Sequence, residues 1–251
     1  MLAPRLLLSG LAALLAPPSC AICRAALPGG GPREPGALLP AGMVCGRCAA
    51  GLEPIETACR GCGRSRAPHA PPAARCRVCL REPRGELRGT VALLRYRGVG
   101  RRLMHRIKYG GVEELARPLG LALGRRLLDA GPLRLPADLV VVPIPLHLLR
   151  RLRRGFDQAA EIAAGVAAAI DRPCLAALRR RRWTRPLFRL PHDARPDVVR
   201  GAFALRAPDR VRGRPVLLVD DIRTSGATLR AAAEVLRGAG AARVMAAVVA
   251  R

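Results

Sequence analysis

The sequence predicts an α/β protein, in which a parallel sheet covered by helices follows a small cysteine-rich metal-binding unit. Three observations carry this. From Gly89 onward short apolar runs alternate with helical stretches, which is how parallel strands and their crossover helices read. Nearly all the cysteines lie before that point, eight of them in Cys-x-x-Cys pairs. Half the residues are hydrophobic although only 2% are aromatic, so Val, Leu, Ala and Ile must build the core and general disorder is not expected.

The regions follow in order. In residues 1–18, Leu7, Leu11, Leu14 and Leu15 share one helical face and Pro17-Pro18 stops the run, which predicts a short apolar docking helix. The same stretch tempts a secretory reading, but Pro17 stands where a lipoprotein signal wants an aliphatic residue. Residues 19–86 are rich in Gly and Pro without a long periodic run, so they would need metal to hold them. Residues 87–251 hold the sheet domain. Strands are expected at 90–96, 138–144, 216–219 and 243–249, and helices at 112–128, 156–170 and 227–236. Within the first helix Leu115, Leu119, Leu123 and Leu127 recur at one-turn spacing. Parallel sheets bind ligands at the carboxyl ends of their strands, so the loops after Val142 and Val219 are the places to expect a site.

A chain of 251 residues accommodates one medium domain and a small one. The balance of 44 Lys+Arg against 18 Asp+Glu gives a net charge of +26, which favours polyphosphate or nucleic-acid partners. Only Lys108 is lysine; a GC-rich coding bias accounts for that preference but less well for the surplus of bases. No stretch reaches the ~18–20 apolar residues of a membrane span.

The pairs are Cys20/Cys23, Cys45/Cys48, Cys59/Cys62 and Cys76/Cys79. One Cys-x-x-Cys loop brings two thiolates to one ion, and two loops complete a tetrahedral four-sulfur zinc site. A single such motif suits redox chemistry, but four in succession suit metal. The pairing is open: consecutive loops make two ribbons, and interleaved loops are an alternative. His69 is a further candidate ligand, while Cys174, alone beside a strand, is expected in the core. A closed four-sulfur site leaves no coordination position free, so the zinc would be structural. Such cysteines suit a reducing compartment, and a cytoplasmic protein is expected.

After the apolar run Val216-Leu217-Leu218-Val219 come two carboxylates, Asp220 and Asp221, and then Thr224-Ser225-Gly226-Ala227-Thr228 opening a helix. Small hydroxyl residues and glycine there let backbone N–H groups close on an anion at a helix N-terminus. Two acids beside such a loop would repel a bare phosphate. They make sense for a ligand that also carries a diol or a metal, as 5-phosphoribose does. An ordinary helix cap after a strand is the plainer alternative.

This order of residues closely resembles the signature with which type I phosphoribosyltransferases bind phosphoribosyl pyrophosphate (PRPP). The cysteine loops, Lys108-Tyr109-Gly110, Pro143-Ile144-Pro145-Leu146-His147, Arg154-Gly155-Phe156-Asp157-Gln158-Ala159 and Gly201-Ala202-Phe203 together resemble the ComF family of competence-associated proteins, which includes the GntX-type proteins. The resemblance implies a Rossmann-like phosphoribosyltransferase fold. Asp220 and Asp221 would contact the ribose hydroxyls and Thr224, Ser225, Gly226, Ala227 and Thr228 the 5-phosphate. His147, Arg150, Arg153 and Arg154 would face pyrophosphate, with magnesium accompanying PRPP. Departures from the family pattern are Leu187, where Gln is common, Val198-Val199, where Asn-Val is common, and Asp157, where Asn is frequent. They bear on acceptor chemistry more than on PRPP.

Three functions compete: a phosphoribosyltransferase with an unidentified acceptor, a PRPP-binding protein without turnover, and a factor handling single-stranded DNA alongside other competence proteins. For the last, Arg179-Arg180-Arg181-Arg182-Trp183, with Arg185 and Arg189 following, resembles a phosphate-tracking strip with one stacking aromatic. A basic loop over the active site explains the same residues equally well.

Overall fold

The computed structural model describes residues 18–27, 38–40, 42–67, 71, 75–81, 85–129, 135–147, 152, 155–181 and 201–251. The helix expected over 1–18 lies outside them, apart from Pro18.

Four strands form one parallel sheet: β1 (Leu87–Leu94), β2 (Val140–Pro143), β5 (Pro215–Ile222) and β6 (Arg243–Ala250), in the order β1-β6-β5-β2. The central pair is apolar on both faces, as a doubly covered strand must be. Strand alternation sorts its side chains. Leu217, Val219, Met245, Ala247 and Val249 face one core, and Val216, Leu218, Val244, Ala246 and Val248 face the other.

On the first face pack α3 (Gly98–Tyr109), α4 (Ala116–Asp129) and α5 (Gln158–Ala169). The leucine repeat expected to start at residue 112 begins instead with a 3₁₀ turn over Glu113–Leu115, and Leu115, Leu119, Leu123 and Leu127 are all buried. Small residues let α4 and α5 approach closely: a Cβ on Gly120 would stand 2.1 Å from the Ile162 carbonyl oxygen, and one on Gly165 2.3 Å from that of Arg117. On the second face lie α6 (Ala227–Gly238) and an antiparallel two-stranded hairpin of β3 (Leu178–Arg180) and β4 (Phe203–Leu205). Neither this hairpin nor α3 is expected from the sequence. α3 opens on Gly98, at a φ of +50°, and buries Gly100, Leu103, Met104 and Ile107 at helical spacing while its four arginines and lysines stay off that face.

The cysteine region docks along β1. Pro54 bridges Leu94, Ile55 N–H donates to Leu93 O at 2.9 Å, and Ile55 is buried in the second core. The Arg97 guanidinium grips the Glu53 carboxylate through Nε at 2.8 and 2.9 Å. Two five-residue helices, α1 (Gly46–Ala50) and α2 (Arg77–Arg81), each carry a cysteine into the interior, Cys48 and Cys79. Cys174 departs from expectation: its backbone bridges Val141, but its side chain is exposed. Among the described residues no helix is long and apolar enough to cross a membrane.

Neighbouring β2 and β5 send their chains to opposite faces, to α5 and α6 respectively. In open α/β sheets the crevice at such a divergence is where ligands bind.

Candidate functional site

The crevice is built on the end of β5, where alternation turns the two adjacent carboxylates to opposite faces. Asp221 points toward the helices of the first face and is buried. Its Oδ2 accepts from Lys108 Nζ of α3 at 3.0 Å and from Gln158 Nε2 of α5 at 3.0 Å. Gln158 is itself buried, and its Oε1 has no hydrogen-bond partner among the described residues. A charged Asp221 is therefore compensated within the protein.

Asp220 points the other way and remains partly exposed. Its Oδ1 accepts the Asp221 backbone N–H at 2.8 Å. Burial of its carboxyl and the charge of Asp221 push its pKa up to about 8, against the opposing pull of Lys108, that N–H bond and Arg180. A cation or hydroxyl donor arriving beside Asp220 would favour its charged form, which the bare protein resists.

Beyond β5 the chain turns through Arg223, Thr224 and Ser225 into α6. Gly226 stands at the cap position with a φ of +82° and no side chain of its own to offer, and the first turn contains no acid. Ser225 Oγ accepts the Ala227 N–H at 3.4 Å. The positive end of the helix dipole thus lacks an acidic partner in its own first turn, an arrangement that favours an anion. Glycine is required at 226 for two reasons. The left-handed backbone disfavours a side chain, and a Cβ would stand 2.7 Å from Arg223 Nε. The space it would fill is the guanidinium's, on the underside of the loop.

Arg223 is buried under that loop. Its Nη1 donates to Thr90 Oγ1 of β1 and to Gly61 O at 3.3 Å. Burial and the neighbouring Arg251 lower its pKa to about 10, with the sulfurs of Cys62 and Cys79 acting in the other direction, so it stays a cation at neutral pH.

The loop after β2 shows its start only. Leu146 N–H donates to Asp157 Oδ2 at 3.3 Å, while Asp157 Oδ1 caps α5 through the N–H groups of Ala159 and Ala160. Asp157 therefore ties the β2 loop to the start of α5 with both oxygens accepting, an arrangement that the asparagine frequent there, with one acceptor oxygen, would not reproduce. His147 is partly buried, whereas Arg150, Arg153 and Arg154 lie outside the described residues. So do His69, Arg182, Trp183, Leu187 and Val198-Val199. Of the arginine strip, Arg179 and Arg181 are exposed, but Arg180 turns inward. Its guanidinium carbon stands 5.4 Å from the centre of the Phe203 ring, and its charge reaches Asp220.

The eight paired cysteines converge as two groups, Cys20/Cys23/Cys45/Cys48 and Cys59/Cys62/Cys76/Cys79, so consecutive loops share a site. The Sγ separations Cys23–Cys45 and Cys62–Cys76 are 3.7 and 3.8 Å. A tetrahedron with Zn–S bonds of about 2.3 Å has edges of about 3.8 Å, whereas a disulfide would close to about 2 Å. The electrostatics agree. Burial opposes ionisation of Cys59, but N–H groups of Cys76, Cys62 and Gly61 outweigh it and bring its pKa down to about 6. Cys79, buried and then crowded by the other thiols, is pushed upward. A divalent cation at the centre removes that conflict, and both groups could hold zinc.

Lys108, Gln158, Arg223 and Arg251 act at the site without being singled out as site residues by the sequence. For Lys108 a signal existed. Where arginine has otherwise taken every basic position, one retained lysine marks a place that needs a compact ammonium.

Comparison with known proteins agrees with this architecture. Residues 141–251 match the phosphoribosyl transferase domain family, so the sheet carries a phosphoribosyltransferase-type domain with a cysteine-rich region before it. DNA utilization protein YhgH of Salmonella typhimurium is 30% identical over 80% of this chain and 87% of its own length, and the Escherichia coli K12 protein matches equally. Competence protein F of Haemophilus influenzae is 30% identical over 55% of this chain and 62% of its own. The chain belongs to this ComF-like family of phosphoribosyltransferase-domain proteins with an N-terminal zinc-ribbon region. Among solved structures, the allosteric regulatory enzyme of purine biosynthesis aligns at 28% identity with a TM-score of 0.35, over 53% of this chain and 25% of that one.

Proposed function

We propose that the crevice binds PRPP with magnesium. The observation that carries this is the pairing of two different anchors on one loop. A strand end presents the partly exposed Asp220 beside the compensated Asp221, and a few residues on stands a helix N-terminus capped by a glycine, with no acid in its first turn and only the long Ser225 Oγ contact to Ala227 N–H. A free phosphate would use the second and be repelled by the first. A 5-phosphoribosyl group uses both, its hydroxyls at the carboxylates and its phosphate at the amides of Thr224, Ser225, Gly226, Ala227 and Thr228. Magnesium enters with the ligand, whose diphosphate supplies oxygens for it, and Asp220 is the carboxylate open to it. His147, Arg150, Arg153 and Arg154 are the groups proposed to meet the diphosphate, and the organisation 1–18, 19–86 and 87–251 is the proposed domain division.

Calorimetry of the zinc-loaded protein tests this. PRPP with magnesium should bind more tightly than either ribose 5-phosphate or pyrophosphate. Equal affinity for PRPP and pyrophosphate would mean that the ribose and its phosphate go unrecognised, and would overturn the reading. Release of pyrophosphate with a candidate acceptor then separates a transferase from a binding protein.

A second reading, compatible with the first, is supported by the names of the relatives, a DNA utilization protein and a competence protein, and by the net charge of +26. It assigns the protein a role in DNA uptake in the cytoplasm, with single-stranded DNA as partner along Arg179, Arg181, Arg182 and Trp183, Arg180 being turned inward.

A further inference from the structure

The second cysteine group is joined to the underside of the phosphate loop by two arginines. Arg223, from the loop itself, donates to the carbonyl of Gly61, the residue before Cys62 in the Cys59–Cys62 turn. Gly61 packs tightly against Cys79: a Cβ there would come 3.0 Å from Cys79 Sγ. Arg251, at the end of β6, makes the return link. Its Nε donates to Cys62 O at 3.1 Å, and its Nη1 to Arg223 O at 3.0 Å and to Thr224 O. Between the links a cavity of about 150 Å³ is lined by Cys62, Cys79, Arg64, Arg251, Thr224 and Ser225. The first cysteine group touches the sheet domain elsewhere, through Arg106 Nε donating to Ala21 O at 2.9 Å.

We infer that the second cysteine group, in its metal-loaded form, is a positioning element of the phosphate loop, acting through Arg223 and Arg251, so that loss of metal from this group alone loosens the loop and weakens its hold on a phosphorylated ligand.

The physical reason is twofold. A buried guanidinium needs fixed acceptors, and Gly61 O is one only while the Cys59–Cys62 turn keeps its shape, which four sulfurs impose around one ion. A tetrathiolate zinc centre also carries net negative charge beside Arg223 and Arg251, whose other partners among the described residues are carbonyls and the Thr90 hydroxyl. With the metal gone, the turn relaxes, Arg223 loses an acceptor and a counter-charge, and the loop above it loses its floor. Amides meant to converge on a phosphate must be held in place before it arrives, and looseness there is lost affinity. Arg223 and Arg251 are positioning residues, since Arg223 ties the loop to Gly61 and Thr90 and Arg251 holds the loop's carbonyls.

The loss of affinity rests on the PRPP reading; the loosening does not. The experiment therefore has two readouts, deuterium exchange of the 222–228 amides, referenced to the core amides of 216–219, and calorimetric affinity for PRPP with magnesium. Three full-length variants are compared with the parent. Cys76→Ser/Cys79→Ser should lose one of the two zinc ions implied by the two groups, and its loop exchange and PRPP dissociation constant should each rise about tenfold. Cys45→Ser/Cys48→Ser should lose the other ion and leave loop exchange unchanged. Arg251→Met should keep both ions yet raise loop exchange by roughly threefold or more, which separates the links from general damage to the ribbon. Loop exchange that stays at the parental level in both the Cys76/Cys79 and the Arg251 variants would overturn the inference. So would loosening of equal size in the Cys45/Cys48 variant. A parent that fails to bind PRPP refutes the proposed function, and the exchange result alone then decides this inference.

Discussion

At the scale of single residues, the site rests on two neighbouring aspartates that the pleat of one strand sends in opposite directions. Asp221 is a buried, compensated ion, and Asp220 is a carboxyl whose charge the bare protein resists. Asp220 takes up its proton at a higher pH folded than unfolded, so the folded state binds the extra proton between its usual carboxylate range and about pH 8. Stability of the unliganded protein should therefore fall as pH rises through that window. Asp220→Asn should melt higher than the parent at pH 8, and the gap should close toward pH 4; thermal unfolding at the two pH values checks this. Asp221 is held by geometry, through Lys108 and Gln158. Lys108→Met removes its cation and should cost about 3 kcal/mol, and adding Asp221→Asn should restore part of it. Denaturant unfolding of both variants tests this, and a double variant no better than the single one would contradict the pairing.

At the scale of elements, β5, β6 and α6 were legible because their apolar runs and amphipathic face are uninterrupted, and the loop between β5 and α6 because its residue types are unusual together. The cysteine groups were legible as metal ligands, but their pairing was not, because loop spacing alone permits either partner. α3 carried a readable signal, Leu103, Met104 and Ile107 at helical spacing with its basic residues off that face, but its start at Gly98 and Gly100 reads as a turn, and the β3–β4 hairpin escaped because its strands have three residues each and lie far apart in the chain. The α4–α5 contact was equally invisible, since a glycine in a helix reads as a weak point until its neighbour is known. Gly165→Val should show the difference: with a carbonyl oxygen 2.3 Å from its Cβ, the helices must separate at a cost of about 3 kcal/mol. Equilibrium denaturation within 0.5 kcal/mol of the parent, roughly the range of a neutral surface change, would show that the helices can separate freely.

At the scale of the whole molecule, the cysteine region packs on β1 and, through Arg223 and Arg251, reaches the loop where the ligand is proposed to bind. Its positive charge is spread widely, so a salt titration with single-stranded DNA tests whether the exposed part of the arginine strip takes part. Each phosphate contact contributes about 0.7 to the slope of log affinity against log salt. Arg179→Ala/Arg181→Ala should then flatten that slope by about 1.4, and an unchanged slope would remove these two residues from any nucleic-acid track. The central claim is narrower, that the end of β5 and the start of α6 together hold a 5-phosphoribosyl diphosphate. The most direct measurement is calorimetry of PRPP with magnesium against the parent and against Asp220→Asn/Asp221→Asn, both folded and carrying zinc. Each lost charged hydrogen bond contributes roughly 1.5–3 kcal/mol, so the double variant should bind at least about a hundredfold more weakly; a folded double variant that binds PRPP as tightly as the parent would contradict the account.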